Sequence, residues 1–216
     1  MARRYDAVIF DLDGTLVDSL QSDVESLARC ARKFGLPPVP RETSLRLFGL
    51  SNMDFYRVVF PDAGEAVYER LLRMQLPMQS EIAREMGERV LFPGVKEMLE
   101  QLKCAGLRLF IASTGTREHV TDFLTFGGVL PLFERIGFDE PVKDAMTARL
   151  LEGVDPARAV FVGDSGKDVQ AAHANGLPAL GAGFGYVYSG DGQFDAVYDT
   201  PAELARALLA EEPLIP

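Results

Sequence analysis

Two aspartates at the end of an apolar run are the residues most suited to chemistry. Asp11 and Asp13 follow the run at 7–10 and are two positions apart. In an extended segment such side chains point the same way, so the two carboxylates share one space and repel each other. A magnesium ion relieves that repulsion, because it is a hard cation that prefers oxygen ligands and phosphate. Gly14 then lets the backbone turn away sharply, and Thr15 offers a hydroxyl beside the pair.

Other polar residues follow apolar runs in a similar way. Asp164 and Asp168 are four positions apart, and acid in the first turn of a helix suits the positive end of its dipole. Ser113 and Thr114 combine hydroxyls with the exposed amides of a helix start, which together can hold phosphate. Lys143 precedes an amphipathic stretch, where its charge could balance phosphate and a carboxylate nucleophile. Alone, the aspartates and hydroxyls would also fit helix caps, and Lys143 would also fit a solvated surface lysine. The presence of the aspartate pair Asp11 and Asp13 favours a shared site.

Short apolar runs that alternate with helical spacing predict the elements that carry these residues. The runs typical of β-strands are 6–10, 107–112, 159–162, 178–183 and 195–198. This alternation predicts an α/β, Rossmann-like fold: a parallel sheet with helices on both faces. Ligands of such sheets bind beyond the carboxyl ends of the strands. Asp11, Ser113 and Asp164 all follow strand ends, so we expect them to lie close together.

The stretch 17–89 breaks the alternation, because it contains helical patterns and no convincing strand. Ser51 is suited to cap one of its helices, and Pro77 is expected to start, kink or end another. We therefore expect an all-helical domain over 17–89, inserted into an α/β core built from 1–16 and 90–216.

Composition limits the partners of this chain. Its 216 residues carry a formal net charge of −10, which repels nucleic acid and anionic membranes. No stretch approaches the ~20 apolar residues that a membrane span needs. Cys30 and Cys104 show neither metal spacing nor a disulfide framework, which fits a reducing cytoplasm. His119 and His173 lie far apart without a ligand pattern, so we expect both on helix surfaces.

Together these motifs resemble the four motifs of the haloacid dehalogenase superfamily, specifically its phosphatase branch with a helical cap after the first motif. The likeness covers nearly the whole chain, and the pattern is similar to that of phosphoglycolate phosphatases and their near kin. It implies a magnesium-dependent phosphatase that hydrolyses a small-molecule phosphate monoester. By that likeness Asp11 attacks phosphorus and becomes an aspartyl-phosphate, while Asp13 protonates the leaving alcohol and then activates water.

The resemblance also implies how the ligands are shared among the motif residues. Magnesium is held by the Asp11 carboxylate, the Asp13 backbone carbonyl, Asp164, and Asp168 through water. Phosphate is bound by Ser113, Thr114 and Lys143, and Lys143 also balances charge. Many relatives carry Lys-Pro-x-Pro at the third motif, whereas this chain has Glu140-Pro141-Val142-Lys143, which makes the placement of the lysine the weakest part of the match.

Two alternatives to a phosphatase stay open. A β-phosphoglucomutase-like phosphotransferase carries a cap histidine about a dozen residues past the nucleophile, where this chain has Asp23. A non-catalytic phosphate-binding module usually lacks one of the carboxylates, and none is missing here. The dehalogenase branch does without the second carboxylate, so Asp13 favours phosphate chemistry.

Substrate choice is expected to depend on the helical insert. Arg46 and Asn52 are its substrate-binding candidates, and Arg46 would bind a substrate carboxylate or be a surface charge. We expect a small phosphate ester as the partner, without nucleic acid or membrane, and a monomer or homodimer as the assembly.

Overall fold

A computed structural model describes residues 4–186 and 193–210. The chain divides into two compact units, one formed by Met1–Asp18 with Gly87–Pro216 and the other by Ser19–Met86. The second unit corresponds in position to the predicted insert, and its role as a cap stays a prediction. Among the described residues, none of the helices combines the length and apolar character that crossing a bilayer requires.

The first unit is built on a six-stranded parallel sheet. Its strands are β1 (Ala7–Phe10), β2 (Arg108–Ala112), β3 (Arg135–Gly137), β4 (Ala159–Gly163), β5 (Ala179–Ala182) and β6 (Ala196–Tyr198). They lie in the order β3-β2-β1-β4-β5-β6, so β1 is central, and Phe10 pairs with both Ile111 and Val162. All of β1 is buried, as expected for a parallel strand covered on both faces. The predicted α/β fold class is confirmed.

The helices include four in the second unit and others that cover the sheet. They are α1 (Ser19–Lys33), α2 (Arg41–Arg46), α3 (Asn52–Val59), α4 (Glu65–Met86), α5 (Val95–Cys104), α6 (Arg117–Phe126), α7 (Lys143–Leu150), α8 (Gly166–Ala174) and α9 (Pro201–Leu209). Short 3₁₀ turns occupy Gly87–Val90, Leu130–Leu132 and Pro156–Arg158. Helices α7 and α8 pack together on one face of the sheet, where Met146 and Ala172 meet Phe110 and Phe161.

The helical unit has its own core between α1, α3 and α4. Two linked hydrogen bonds cross it: the Tyr56 hydroxyl donates to Gln75 Oε1 at 2.7 Å in a buried contact, and Gln75 Nε2 donates to the partly buried Asp23 Oδ1 at 2.7 Å. Ser51 caps α3 as predicted, since its Oγ accepts a hydrogen bond from the Asp54 amide. These polar contacts fix how the three helices meet, because a buried polar group without a partner costs free energy.

Two elements differ from the sequence predictions. Strand β3 was not expected, because its three residues Arg-Ile-Gly carry one large apolar side chain at the edge of the sheet. Helix α4 runs without interruption from Glu65 to Met86, so Pro77 neither starts nor ends it. Pro77 is exposed, and a helix stabilised by packing can keep one proline at the cost of a backbone hydrogen bond.

Candidate active site

The loop after β1 is held in place by backbone contacts. The Asp11 amide donates to the Val162 carbonyl of β4 at 2.9 Å, which fixes Asp11 at the carboxyl edge of the sheet. Gly14 has φ 83°, and a Cβ there would lie 2.3 Å from Asp164 Oδ2. Glycine is required at position 14 for two reasons: the backbone is left-handed there, and the Asp164 carboxylate approaches too closely for a side chain. The Thr15 hydroxyl donates to Asp164 Oδ1 at 3.3 Å and joins the two acidic loops.

Lys143 lies at the centre of the acidic cluster. It is the first residue of α7 and is buried, so it is not a solvated surface lysine. Its Nζ lies 2.6 Å from Asp11 Oδ1 and 2.7 Å from Asp168 Oδ1. The start of α7 thus brings a cation between two carboxylates, one from the loop after β1 and one from the first turn of α8.

Asp168 links the lysine to the loop after β4. It is fully buried in the first turn of α8, and its Oδ2 accepts hydrogen bonds from the Ser165 amide at 3.0 Å, the Ser165 hydroxyl at 2.8 Å and the Asp164 amide at 3.2 Å. A Cβ at Gly163 would lie 2.4 Å from Asp168 Cβ, so the strand must end in glycine for α8 to approach this closely.

Burial and crowding shift the ionisation of these groups. Burial raises the pKa of Asp11 to about 7 despite the opposing charge of Lys143. The pKa of Asp164 is raised well above its ordinary value by burial and then by the neighbouring carboxylates of Asp11 and Asp168. Burial lowers the pKa of Lys143, but Asp11 and Asp168 raise it by more, so its net pKa is raised. The site holds more negative charge than one lysine offsets.

The donor set fits a hard divalent cation. Asp11, Asp164 and Asp168 each offer a carboxylate oxygen, and these three oxygens lie within 4.8 Å of one another. Carboxylate oxygens are the ligands that magnesium prefers, and a bound cation would stabilise the ionised forms of Asp11 and Asp164, which burial and then carboxylate repulsion disfavour.

The predicted phosphate-binding residues differ in burial. Ser113 is buried at the end of β2, beside β1, and its Oγ accepts a hydrogen bond from the Gly115 amide at 3.1 Å. Thr114 is exposed in the same turn. This turn leads into α6, whose N-terminal amides suit an anion. The assignment of phosphate binding to both hydroxyls stays a prediction.

His119 is the site residue that the sequence did not reveal. Its expected place on a helix surface is wrong, because it is half-buried and its Nε2 lies 2.9 Å and 3.0 Å from the two carboxylate oxygens of Asp13. His173, in contrast, is exposed on α8 as expected. One usable signal was present: His119 falls in the first turn of a helix that follows a site strand.

The two substrate candidates belong to the helical unit. Arg46 is the last residue of α2 and is exposed, and Asn52 is the first residue of α3 and is partly buried. Their roles toward a substrate stay predictions.

Comparison with known proteins identifies the family of this chain. Residues 8–182 match the model of haloacid dehalogenase-like hydrolases. The chain belongs to this family, which confirms the resemblance inferred from its motifs.

Its relatives carry a more specific name. Over 94% of its length the chain is 32% identical to the phosphoglycolate phosphatase of Synechococcus elongatus, of which it covers 96%. It is 30% identical to that of Haemophilus influenzae, over 96% of this chain and all of the relative. A crystal structure described as a predicted phosphoglycolate phosphatase from Haemophilus somnus matches with a TM-score of 0.83 and 25% identity, covering 95% of this chain and 99% of that one.

Proposed function

We propose that this protein is a magnesium-dependent phosphatase that hydrolyses a small phosphate monoester through an aspartyl-phosphate on Asp11. The observation that carries the proposal is the contact of 2.6 Å between Lys143 Nζ and Asp11 Oδ1 inside a cluster of carboxylates. The lysine keeps Asp11 ionised enough to act as a nucleophile and attracts the anionic phosphoryl group toward it.

Four aspartates would hold the magnesium ion: Asp11 and Asp164 through carboxylates, Asp13 through its backbone carbonyl, and Asp168 through water. Both oxygens of Asp168 already accept hydrogen bonds or pair with Lys143, which supports an indirect role for this residue. When bound, the ion supplies positive charge that offsets both the carboxylates and the phosphoryl oxygens.

In the first step an oxygen of Asp11 attacks phosphorus while the bond from phosphorus to the ester oxygen breaks. Asp13 donates its proton to that leaving oxygen, so an alcohol departs instead of an alkoxide. Lys143 and Ser113 hold the phosphoryl oxygens in line for the attack.

In the second step Asp13, now a carboxylate, takes a proton from water as that water attacks the phosphorus of the aspartyl-phosphate. The bond between Asp11 and phosphorus breaks, inorganic phosphate leaves, and both aspartates return to their initial states. Two carboxylates two positions apart thus divide one difficult displacement into two easier ones.

Phosphoglycolate is the substrate that the relatives' names suggest. It carries a carboxylate besides its phosphate, and a protein with a net charge of −10 needs a local cation to bind such an anion. Arg46 is our candidate for the carboxylate and Asn52 for a polar contact beside it.

The test is a panel of phosphate esters with purified protein, magnesium and a phosphate-release assay. Phosphoglycolate and p-nitrophenyl phosphate should both be hydrolysed, and activity should disappear with a chelator and in Asp11→Asn. Release of inorganic phosphate rather than an isomerised sugar phosphate separates hydrolysis from a mutase reaction. Activity in Asp11→Asn equal to that of the wild type would refute the proposal, as would wild-type protein that hydrolyses none of the esters.

A further inference from the structure

The contact between His119 and Asp13 has a geometry suited to holding a carboxyl group. Nε2 lies 2.9 Å from Oδ1 and 3.0 Å from Oδ2, so one ring nitrogen faces both oxygens. The side chains are 21% and 24% exposed, which leaves Asp13 accessible to a reacting molecule while the histidine covers one side of it.

The imidazole ring of His119 is itself fixed by its surroundings. The His119 amide donates to the Thr116 hydroxyl that caps α6, which anchors the residue in the first helical turn. The ring lies on the buried Phe123 with centroids 4.5 Å apart. On another side a Cβ at Gly115 would lie 3.1 Å from His119 Cδ2, so the backbone of the preceding turn is also close. A ring held in this way has little freedom to move. It can therefore fix the orientation of the carboxyl group that it contacts.

The position of the Asp13 carboxyl group matters because this group is proposed to transfer a proton. Asp11 is held by Lys143, and Asp168 is held by both Lys143 and Ser165. Asp13 is more exposed than Asp11, with 24% of its side chain accessible against 10%. Proton transfer falls off steeply when donor and acceptor are misplaced, and a misplacement of about 1 Å can cost about 100-fold in rate.

We propose that His119 is a positioning residue that holds the Asp13 carboxyl group where it exchanges its proton with the leaving oxygen. This inference rests on the proposed phosphatase function. The Nε2 hydrogen of His119 is donated to one Asp13 oxygen, and the other Asp13 oxygen carries the proton that passes to the alcohol. In the second step that oxygen receives a proton from water. His119 keeps its own hydrogen throughout, so the proton balance of the reaction is unchanged.

Leaving-group dependence tests this role. His119→Phe keeps an aromatic ring against Phe123 and removes the donor, whereas His119→Gln keeps a nitrogen donor at a similar reach. In His119→Phe, kcat/KM for phosphoglycolate, whose alkoxide needs a proton, should fall by about 100-fold. For p-nitrophenyl phosphate, whose phenolate leaves unaided, the loss should stay within about 3-fold. His119→Gln should recover most of the phosphoglycolate activity.

His173→Phe is the matched control, because His173 also pairs with an aspartate, Asp195, at 3.4 Å on a helix outside the site. It should leave both kcat/KM values unchanged. Equal losses of His119→Phe on the two esters, or no loss on phosphoglycolate, would overturn the positioning role.

A double-mutant cycle with Asp13→Asn gives a second test. It remains informative if one His119 variant folds poorly, because a folding defect would lower the activity of that variant in both backgrounds alike. If His119 acts through Asp13, then the rate at which phosphoglycolate phosphorylates Asp11 should differ between His119→Gln and His119→Phe in the wild-type background and be equal in the Asp13→Asn background. The same difference in both backgrounds would contradict the proposal. Asp13→Asn with full phosphoglycolate activity would instead refute the proposed function, so the two failures are distinguishable.

Discussion

Charge balance at single residues decides what this site can do. One buried lysine, Lys143, lies between Asp11 and Asp168, and Asp164 adds a further carboxylate within reach of the same space. A buried charge is stable only when it is paired and hydrogen-bonded. The surplus of negative charge is the physical reason why the site suits a divalent cation and an anionic phosphoryl group together.

The excess of carboxylates over lysine in this site predicts how the stability of the protein depends on pH when no divalent cation is bound. The pKa of Asp11 is raised to about 7 and that of Asp164 is raised in the same direction, mainly by burial. A carboxyl group with a raised folded-state pKa contributes stability fully below its unfolded pKa, and this contribution is lost as pH rises through the folded value. With a chelator present, Tm should therefore fall by at least about 2 °C between about pH 5 and about pH 8.

Two controls accompany this melting experiment. Saturating magnesium binds the ionised carboxylates and should remove most of the decrease in Tm. Asp11→Asn removes one of the titrating groups and should make the decrease smaller. A Tm of the metal-free protein that stays constant or rises over this pH range would contradict the charge assignment.

At this scale the sequence predicted the acidic residues and the lysine, and it missed His119. Asp11, Asp164 and Asp168 are recognisable because each stands at a fixed place after an apolar run. His119 contacts Asp13 across 106 positions of sequence, and that contact depends on the angle at which α6 leaves the sheet. The sequence does place His119 in the first turn after a site strand, but that position alone does not give the angle that brings its ring to Asp13.

At the scale of elements, the central strands were predictable and the edge strand was not. Strands β1 and β4, and β2 after Arg108, are apolar runs that are buried on both faces of a parallel sheet. Strand β3 has three partly buried residues at the sheet edge, so little of its pattern depends on burial. The convergence of the strand ends was predictable because it follows from the parallel topology alone.

Helix α4 offers a prediction about an element that contains an internal proline. Pro77 is exposed inside this helix and has no amide hydrogen to donate to the Arg73 carbonyl. Pro77→Ala would restore that hydrogen bond, while the more flexible unfolded chain offsets part of the gain. The free energy of unfolding should rise by about 1–2 kcal/mol in urea titrations followed by circular dichroism.

Glu81→Ala, one turn further along α4 at another exposed position, controls for the gain in helix propensity. It should change the free energy of unfolding by no more than about 0.5 kcal/mol. A Pro77→Ala variant that is no more stable than Glu81→Ala would show that the helix already accommodates its proline.

At the scale of the whole molecule, the residues proposed for the chemistry and those proposed for substrate choice belong to different units. The α/β unit carries the described carboxylate cluster and Lys143, whereas Arg46 and Asn52 belong to the unit Ser19–Met86. The reaction class was predictable because it follows from residue types at strand ends. The substrate was not, because a lone arginine on a short helix fits a binding role and a solvent-exposed role equally well.

Arg46→Ala tests the substrate role directly. If Arg46 binds the carboxylate of phosphoglycolate, its loss should raise KM by about 10-fold and change kcat little, since the contact is equally strong in ground and transition states. Steady-state kinetics should show no such change with p-nitrophenyl phosphate, which has no carboxylate.

Arg41→Ala is the matched control, because Arg41 is an exposed arginine at the other end of the same helix. It should leave KM for phosphoglycolate unchanged. If Arg46→Ala and Arg41→Ala have the same kinetics, then Arg46 has no specific role with this substrate.

The central claim, attack by Asp11 with Asp13 as the proton-transfer group, is tested most directly in Asp13→Asn with p-nitrophenyl phosphate and magnesium. Nitrophenolate needs no proton to leave, whereas hydrolysis of the aspartyl-phosphate needs the missing base. We predict a burst of about one nitrophenolate per enzyme, and acid-quenched protein should carry one phosphoryl group on the peptide containing Asp11. The double variant Asp11→Asn/Asp13→Asn should give neither. A phosphoryl group on another residue, or steady turnover without a burst or phosphorylated peptide, would contradict the account.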